Sequence, residues 1–162
     1  MAQILWLVSL LAKEDQTFEG IPVFDNMAEA VKSTGAKISG MFVPASFFLN
    51  AAEDALDSGI KLLVAVPEHV PIRDSIKVLE YAKTKGAKMV GPNTPGVIVP
   101  QVMKVGIMPA QPFKAGDTVV FSRSGTLMYE VSYNLTKSGF GQRLCLGIGG
   151  DPIKRNKSNR CF

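Results

Sequence analysis

The chain has 162 residues, which is the length of one ordinary domain or of two small ones. Hydrophobic residues make up 46% of it and charged residues 20%, and this composition excludes an intrinsically disordered protein. All 14 acidic residues lie at or before Asp151 and four of the 18 basic residues lie after it, so the body of the chain is neutral and nucleic-acid binding is not expected.

The first element in the chain is an apolar run, Ile4–Ala12. It is far shorter than the roughly 20 apolar residues of a membrane-spanning helix. No Lys or Arg precedes it, and Leu10–Ala12 is a poor cleavage site for a signal peptide. We therefore expect a buried strand or a short core helix here, and no association with a membrane.

Apolar runs alternate with helical periodicities between residues 38 and 90. Short apolar runs predict strands, and apolar residues at a 3.6-residue spacing predict helices that are stopped by Gly59 and Gly86. The order β-α-β-α-β indicates an α/β protein with a parallel sheet covered by helices. In chain order the predicted elements are a strand at 38–43, a helix at 46–58, a strand at 60–66, a helix at 72–85 and a strand at 87–90.

A second part of the chain begins with a segment rich in Pro and Gly, from Gly91 to Gly116, which predicts a loop-rich connection with one or two short strands. Only one more β-α-β unit follows, so we place a domain boundary near Gly116 and expect the beginning of a second domain. Residues 154–162 show no periodicity and are expected to form a tail. The predicted unit has a strand at 118–121, a helix at 126–137 and a strand at 144–148.

The segment Ser122–Thr126 follows an apolar strand and opens a helix. A helix N-terminus carries unpaired N–H groups and partial positive charge, both of which favour a bound phosphate or carboxylate. Gly125 lets an anion approach the backbone, and the hydroxyls of Ser122, Ser124 and Thr126 can donate further hydrogen bonds. A plain N-cap explains the same residues equally well, so anion binding and capping both stay open.

Three other turns follow predicted strands, at the place where a parallel sheet binds its ligands. Val66–Glu68 follows the second strand, and Gly91–Gly96 follows the third. Gly147–Pro152 is a glycine-rich turn that a sharp chain reversal would explain at least as well. These turns are candidates for one wall of a ligand crevice.

The reactive side chains of the chain form no evident catalytic set. His69 is the single histidine, and no orienting partner lies near it in the sequence. Cys145 lies in a predicted buried strand, where a thiol is inert, and Cys161 lies in the tail. Two cysteines are too few for a zinc spacing or a disulfide framework, so we predict neither a catalytic residue nor a metal site.

Several of these segments occur in the order and at the spacing found in the alpha subunit of succinyl-CoA ligase and its acyl-CoA ligase relatives. The chain resembles this family from about Thr17 to Ile153, and the combination of motifs is specific although each motif alone is not. The matching stretches are Gly20–Phe24, Gly91–Gly96, Ser122–Leu127 with Tyr129–Glu130, and Gly139–Gln142 leading to Gly147–Pro152.

The resemblance implies two partial domains. Residues 17–116 correspond to a Rossmann-like CoA-binding domain that lacks its first β-α unit, and residues 117–153 to the start of a flavodoxin-like ligase domain. Residues 1–16 and 154–162 match neither. The family's glycine-rich CoA turn and the lysine segment after it have no counterpart here, nor has its phosphorylated histidine, so we expect no turnover from this chain alone.

The resemblance also implies a reaction and a partner. Enzymes of this type form acyl-CoA from a carboxylic acid, CoA and a nucleoside triphosphate, through an acyl phosphate. CoA binds the alpha subunit, whereas the nucleotide and Mg²⁺ bind a beta subunit in a heterodimer or heterotetramer, in the cytoplasm or, in a eukaryote, in the mitochondrial matrix. The alternative is a noncatalytic module, derived from the family, that binds an anion or a partner subunit.

Site residues follow from the same resemblance. Thr94 stands where many family members have cysteine and His69 where many have glycine, so the chain departs from the family pattern at two places near the CoA site. The implied roles are phosphate binding by Ser122, Ser124, Gly125 and Thr126, a position near the acyl substrate for Tyr129, and CoA binding by Val66, Pro67, Glu68, Asn93 and Thr94.

Overall fold

The structure is a computed structural model that describes residues 17, 18 and 20–151. The predicted apolar element Ile4–Ala12, Cys161 and the predicted tail lie outside these residues. The first described element is an antiparallel pair of two-residue strands, β1 (Thr17–Phe18) and β2 (Ile21–Pro22). Within the described ranges, no helix is long and apolar enough to cross a membrane.

The structure contains a helix, α1 (Met27–Thr34), that is not among the elements predicted from the sequence. The Asn26 side chain caps it by accepting a hydrogen bond from the N–H of Glu29 over 2.9 Å. Gly35 ends it in the left-handed conformation, with φ of 68°. Ala30 is its only buried residue, so its two caps mark this helix more clearly than any apolar stripe does.

A three-stranded parallel sheet occupies residues 38–90, in the order β3-β4-β5. All five predicted elements of this region are confirmed, each with somewhat narrower bounds, and a short 3-10 helix at Ala45–Phe47 precedes the first long helix. The fold is therefore α/β with a parallel sheet. The elements are β3 (Ile38–Met41), α2 (Phe48–Asp57), β4 (Leu62–Ala65), α3 (Ile72–Thr84) and β5 (Lys88–Val90).

A second sheet of four strands has the order β7-β6-β9-β8. β8 and β9 are parallel and are connected through α4, whereas β6 runs antiparallel to both of its neighbours. The predicted β-α-β unit and the short strands before it are confirmed. The elements are β6 (Gly96–Val99), β7 (Met103–Gly106), β8 (Ala115–Ser122), α4 (Gly125–Lys137) and β9 (Gln142–Gly147).

The second sheet includes strands from both sides of the boundary predicted near Gly116. β6 precedes that boundary and pairs with β9, which follows it, with Val97 opposite Leu146. The division of the chain into residues 17–116 and 117–153 stays a prediction. Hydrogen bonds between β6 and β9 join the two predicted parts within one sheet.

Each sheet has its own apolar cluster. Phe48, Leu63 and Val78 belong to the larger cluster, between the three-stranded sheet and its helices. Met128 and Cys145 belong to the smaller one, under α4. The predicted burial of Cys145 is confirmed, and this burial raises the pKa of the thiol.

Candidate functional site

The turns after β4, β5 and β9 meet at the carboxyl ends of these strands. The N–H of Asn93, in the β5 turn, donates to the carbonyl of Pro67 over 2.9 Å. The N–H of Gly150, in the β9 turn, donates to the carbonyl of Asn93 over 3.1 Å. Asn93 has a φ of 56°, a left-handed conformation that asparagine tolerates better than most residues. It is the residue that joins the three turns.

Thr94 adds a second connection between the β5 and β9 turns. Its side chain is buried, with 2% of the residue exposed. The hydroxyl donates to the carbonyl of Gly147 and accepts the N–H of Gly96 over 3.0 Å. Because the hydroxyl is already used as donor and acceptor within the protein, it holds the end of β9 against the β5 turn.

Close packing explains two glycines of the β9 turn. A Cβ atom at Gly147 would lie 2.5 Å from the ring of Pro95. At Gly149 a Cβ would lie 2.3 Å from the carbonyl oxygen of Pro92, and φ there is 102°. The glycines predicted as a turn motif therefore allow the β9 turn to touch the β5 turn.

Ser122 and Ser124 build the turn between β8 and α4. The Oγ of Ser124 accepts the N–H of Leu127 over 3.2 Å, so Ser124 is the N-cap of α4. The Oγ of Ser122 accepts the N–H of Ser124 over 3.1 Å and donates to its carbonyl over 2.9 Å. Helix geometry still leaves the N–H groups of Gly125 and Thr126 without an acceptor inside the helix. Capping and anion binding can therefore coexist in this turn.

Tyr129 lies one helical turn after Gly125. Its hydroxyl is 3.7 Å from the position that a Cβ of Gly125 would take, and Pro95 is 3.4 Å from the same position. The Tyr129 ring packs edge-on against Phe113, with 6.3 Å between centroids. The hydroxyl of Tyr129 carries its proton at neutral pH, as an ordinary tyrosine does, and can donate a hydrogen bond; burial raises its pKa further.

Arg123 connects this turn to the β9 turn. One guanidinium nitrogen, Nη2, donates to the carbonyl of Gly150 over 2.9 Å and to that of Asp151 over 3.1 Å. No role is predicted for Arg123 from the sequence, where it stands only as part of a Ser/Gly-rich motif. A local motif carries no signal for a contact with residues 27 and 28 positions away.

The structure brings most of the predicted site residues together at the carboxyl ends of the strands. Val66 and Pro67 are half-buried, and the Pro67 carbonyl is bonded to Asn93. The side chains of Glu68 and His69 are 66% and 93% exposed, and the Oε2 atom of Glu68 lies 4.0 Å from the Nε2 atom of His69. In the part of the chain that the structure describes, no three His, Cys, Asp or Glu side chains are grouped to hold a metal ion.

Comparisons with known proteins find similar sequences and similar folds. The sequence profile of a family described as the CoA binding domain matches residues 12–69. The succinate–CoA ligase (ADP-forming) subunit alpha of Aquifex aeolicus is 53% identical over 137 residues, and subunit alpha 2 of Archaeoglobus fulgidus is 48% identical over 134 residues. Each alignment covers 83% of this chain but only 45% and 47% of the relatives, so the chain spans about half the length of the curated relatives it matches.

Solved structures share the fold. ATP citrate lyase of Methanosaeta concilii, in a complex with (3S)-citryl-CoA, superposes with a TM-score of 0.71. The superposition covers 81% of this chain and 23% of the lyase chain, with 21% identity. At this level of identity the similarity concerns the fold alone.

Proposed function

Because the chain belongs to the succinate–CoA ligase alpha-subunit family, we propose that it supplies a CoA crevice and a phosphate-binding turn to an acid–CoA ligase. The observation that best supports this is the hydrogen-bonded series of turns from Pro67 through Asn93 and Gly150 to Arg123. These turns are neighbours at the carboxyl ends of parallel strands, so one ligand could contact all of them.

The CoA side of the proposed site consists of the turns after β4 and β5. The exposed Glu68 carboxylate would repel the phosphates of CoA, so we assign it to N–H or O–H donors elsewhere in the cofactor. Because the hydroxyl of Thr94 is used within the protein, we assign this residue to the shape of the crevice. The proposed CoA residues are Val66, Pro67, Glu68, Asn93 and Thr94.

The phosphate side is the start of α4. The N–H groups of Gly125 and Thr126 would donate to phosphate oxygens, together with the exposed hydroxyls of Ser124 and Thr126. Ser122 would act by orienting Ser124. The dipole of a helix contributes about 0.3–1 kcal/mol per charge at an exposed site and up to about 2 kcal/mol at a partly buried one, so we expect a modest affinity.

In the proposed reaction, the acid carbonyl is bonded to phosphate through oxygen and is attacked by the sulfur of the CoA thiol. The S–C bond forms, the C–O bond to phosphate breaks, and the phosphate leaves with the bonding electrons and takes up the proton that the thiol loses. The α4 turn would hold the phosphate before and after this step, and Tyr129 would donate its hydroxyl proton in a hydrogen bond to the substrate. The nucleotide and Mg²⁺ belong to a beta subunit in this scheme.

The proposal includes a partner and a finer description of the fold. The name of the relatives, subunit alpha, favours a beta subunit as partner, in a heterodimer or heterotetramer. Residues 17–116 would form the Rossmann-like part without its first β-α unit, and residues 117–153 the start of the flavodoxin-like part. The complex would act in the cytoplasm, or in the mitochondrial matrix of a eukaryote.

A CoA titration tests the CoA side directly. We expect the backbone amide signals of Glu68 and Asn93 to shift with a dissociation constant between about 0.1 and 1 mM, as expected when only some of the charge-assisted contacts to CoA are present. Glu68→Gln should weaken binding about three- to tenfold, because a neutral amide accepts hydrogen bonds less strongly than a carboxylate.

Glu80→Gln is the matched control, since Glu80 is a similarly exposed glutamate on α3 that pairs with Lys83. It should leave CoA binding unchanged. Amide signals of Glu68 and Asn93 that stay unmoved at several millimolar CoA, in a folded chain, would refute the CoA crevice.

A further inference from the structure

We propose that Arg123 is a positioning residue, whose guanidinium holds the β9 turn in the place where it connects the CoA side of the site to the phosphate side. The consequence of this role for ligand binding rests on the proposed function. The contact itself can be tested without any ligand, because it joins groups within the protein.

The backbone of Gly150 is held on both sides of its Cα atom, because both of its flanking peptide units accept or donate a hydrogen bond. Its carbonyl accepts from Arg123 over 2.9 Å, and its N–H donates to the carbonyl of Asn93 over 3.1 Å. Asn93 in turn donates its N–H to Pro67 over 2.9 Å. Arg123, Gly150, Asn93 and Pro67 thus form a continuous series of hydrogen bonds from the start of α4 to the turn after β4.

The β9 turn needs such support, because its own residues constrain it little. Gly149 and Gly150 are adjacent glycines, which have more backbone freedom than any other residue. Arg123 supplies a charged donor to two successive carbonyls, those of Gly150 and Asp151. Hydrogen bonds with a charged partner are stronger than neutral ones.

The competing explanation is that Arg123 makes an ordinary exposed contact of no consequence, as many surface charges do. Arg143 provides a matched control for it. Arg143 is an exposed arginine on β9, the strand that pairs with β8, and its Nη2 lies 3.0 Å from the carboxylate of Asp117. Arg143→Gln removes the same charge as Arg123→Gln but leaves the turns untouched.

Amide hydrogen exchange, measured on the full chain without ligand, tests the contact. In Arg123→Gln, the amides of Gly150 and Asn93 should exchange about three- to tenfold faster than in the wild type, because a charge-assisted hydrogen bond is lost at an exposed site. In Arg143→Gln they should exchange as in the wild type. Equal exchange of both amides in Arg123→Gln and the wild type would overturn the proposal.

A phosphate titration of the same variants tests the connection between the two sides. In the wild type, the amides of Gly150 and Asn93 should titrate with the midpoint of Gly125. In Arg123→Gln, Gly125 should still titrate while the other two amides stay flat, an outcome that mere loss of stability would not produce. If the amide signals of Gly150 and Asn93 still shift with phosphate in Arg123→Gln as they do in the wild type, the proposed connection is contradicted.

The two proposals can fail separately. If Gly125 does not respond to phosphate in the wild type, the phosphate turn is wrong, and hydrogen exchange still decides the role of Arg123. Arg123→Lys should restore part of the protection of Gly150, since an ammonium can donate to one of the carbonyls. A lysine variant that exchanges as fast as Arg123→Gln would overturn the assignment to a charged donor.

Discussion

The two sheets of the molecule are stabilised by different kinds of contact. In the first region, fully buried apolar side chains, such as Leu63 of β4 and Phe48 of α2, pack between the three-stranded sheet and its helices. The four-stranded sheet has a smaller apolar cluster, and beside it lie the buried polar side chains of Thr94 and Gln142. Apolar burial specifies the first sheet, whereas hydrogen bonds and glycine contacts contribute much more to the second.

The candidate site lies where the two regions meet. The β4 and β5 turns belong to the first region, and the β9 and β8–α4 turns belong to the second. Polar side chains and close backbone contacts, such as those of Thr94 and Gly149, align one set of turns with the other. Loss of apolar packing should therefore affect stability, and loss of polar contacts should affect both stability and the site.

The largest expected effect is the loss of apolar packing in the first region. Phe48→Ala should lower the free energy of unfolding by about 3–5 kcal/mol, because the side chain is fully buried and its removal leaves a cavity. Phe47→Ala, at the neighbouring residue that is 51% exposed, is the matched control and should change it by less than about 1 kcal/mol. Urea unfolding followed by circular dichroism measures both, and similar losses would contradict the described core.

A smaller loss is expected at Gln142 in the second region. Its amide donates to the Ser132 carbonyl and to Thr136 Oγ1, each over 3.2 Å, and its carbonyl oxygen accepts the N–H of Lys114 over 3.1 Å. Gln142→Leu should cost about 1–3 kcal/mol of unfolding free energy, since these partners lose their hydrogen bonds. The control is the exposed Gln111, where the same substitution should change the free energy of unfolding little. If Gln142→Leu leaves the free energy of unfolding unchanged, hydrogen bonds do not specify this region.

The same contrast explains which parts of the structure could be predicted from the sequence. The strands and helices of residues 38–90 follow an apolar periodicity, and that pattern predicts them. Helix α1 has one buried residue and capping signals at both ends, so periodicity alone does not predict it. The pairing of β6 with β9 joins segments more than 40 residues apart, and the local pattern carries no information about it.

The candidate site was predictable to a similar degree. Each turn follows a strand, so its place at the carboxyl edge can be predicted, and the cap at Ser124 has a known sequence signature. The left-handed Asn93, the internal use of the Thr94 hydroxyl and the reach of Arg123 to Gly150 depend on tertiary contacts. No spacing within one motif indicates them.

Tyr129 makes the stability of the second region sensitive to high pH. Burial raises its folded-state pKa above the ordinary value near 10, so the phenol stabilises the fold fully below that value and this stabilisation is lost as the pH rises through the folded-state pKa. Tyr129→Phe should therefore lose less stability between pH 9 and pH 11 than the wild type does. Thermal unfolding across this range measures the difference, and parallel curves for the two proteins would count against burial of the hydroxyl.

The smallest effect is expected for the exposed ion pair of the first region. Asp57 accepts hydrogen bonds from Lys85, over 2.7 Å, and from Tyr81. The hydrogen bond from Lys85 is the main cause that lowers the pKa of Asp57, so any stabilisation exists above the ordinary carboxyl pKa and is lost as the pH falls through the lowered value. Asp57→Asn should change stability only slightly at pH 7, because exposed pairs contribute little, and the change should become smaller as the pH falls. A large loss at pH 7 would show that this region depends on polar contacts after all.

The phosphate turn is tested most directly by following the amide signals of Gly125 and Thr126 during a phosphate titration of three proteins. Gly125→Ala should still bind, because its Cβ would lie 3.4 Å from Pro95, an ordinary contact. Gly125→Val, with two further methyl groups next to Pro95 and Tyr129, should crowd the anion out while α4 stays folded. We predict that the amide signals shift saturably with phosphate in the wild type and in Gly125→Ala, and that added salt weakens this binding. In Gly125→Val we predict no shift. Flat signals in the wild type at tens of millimolar phosphate, with α4 intact, would contradict the account.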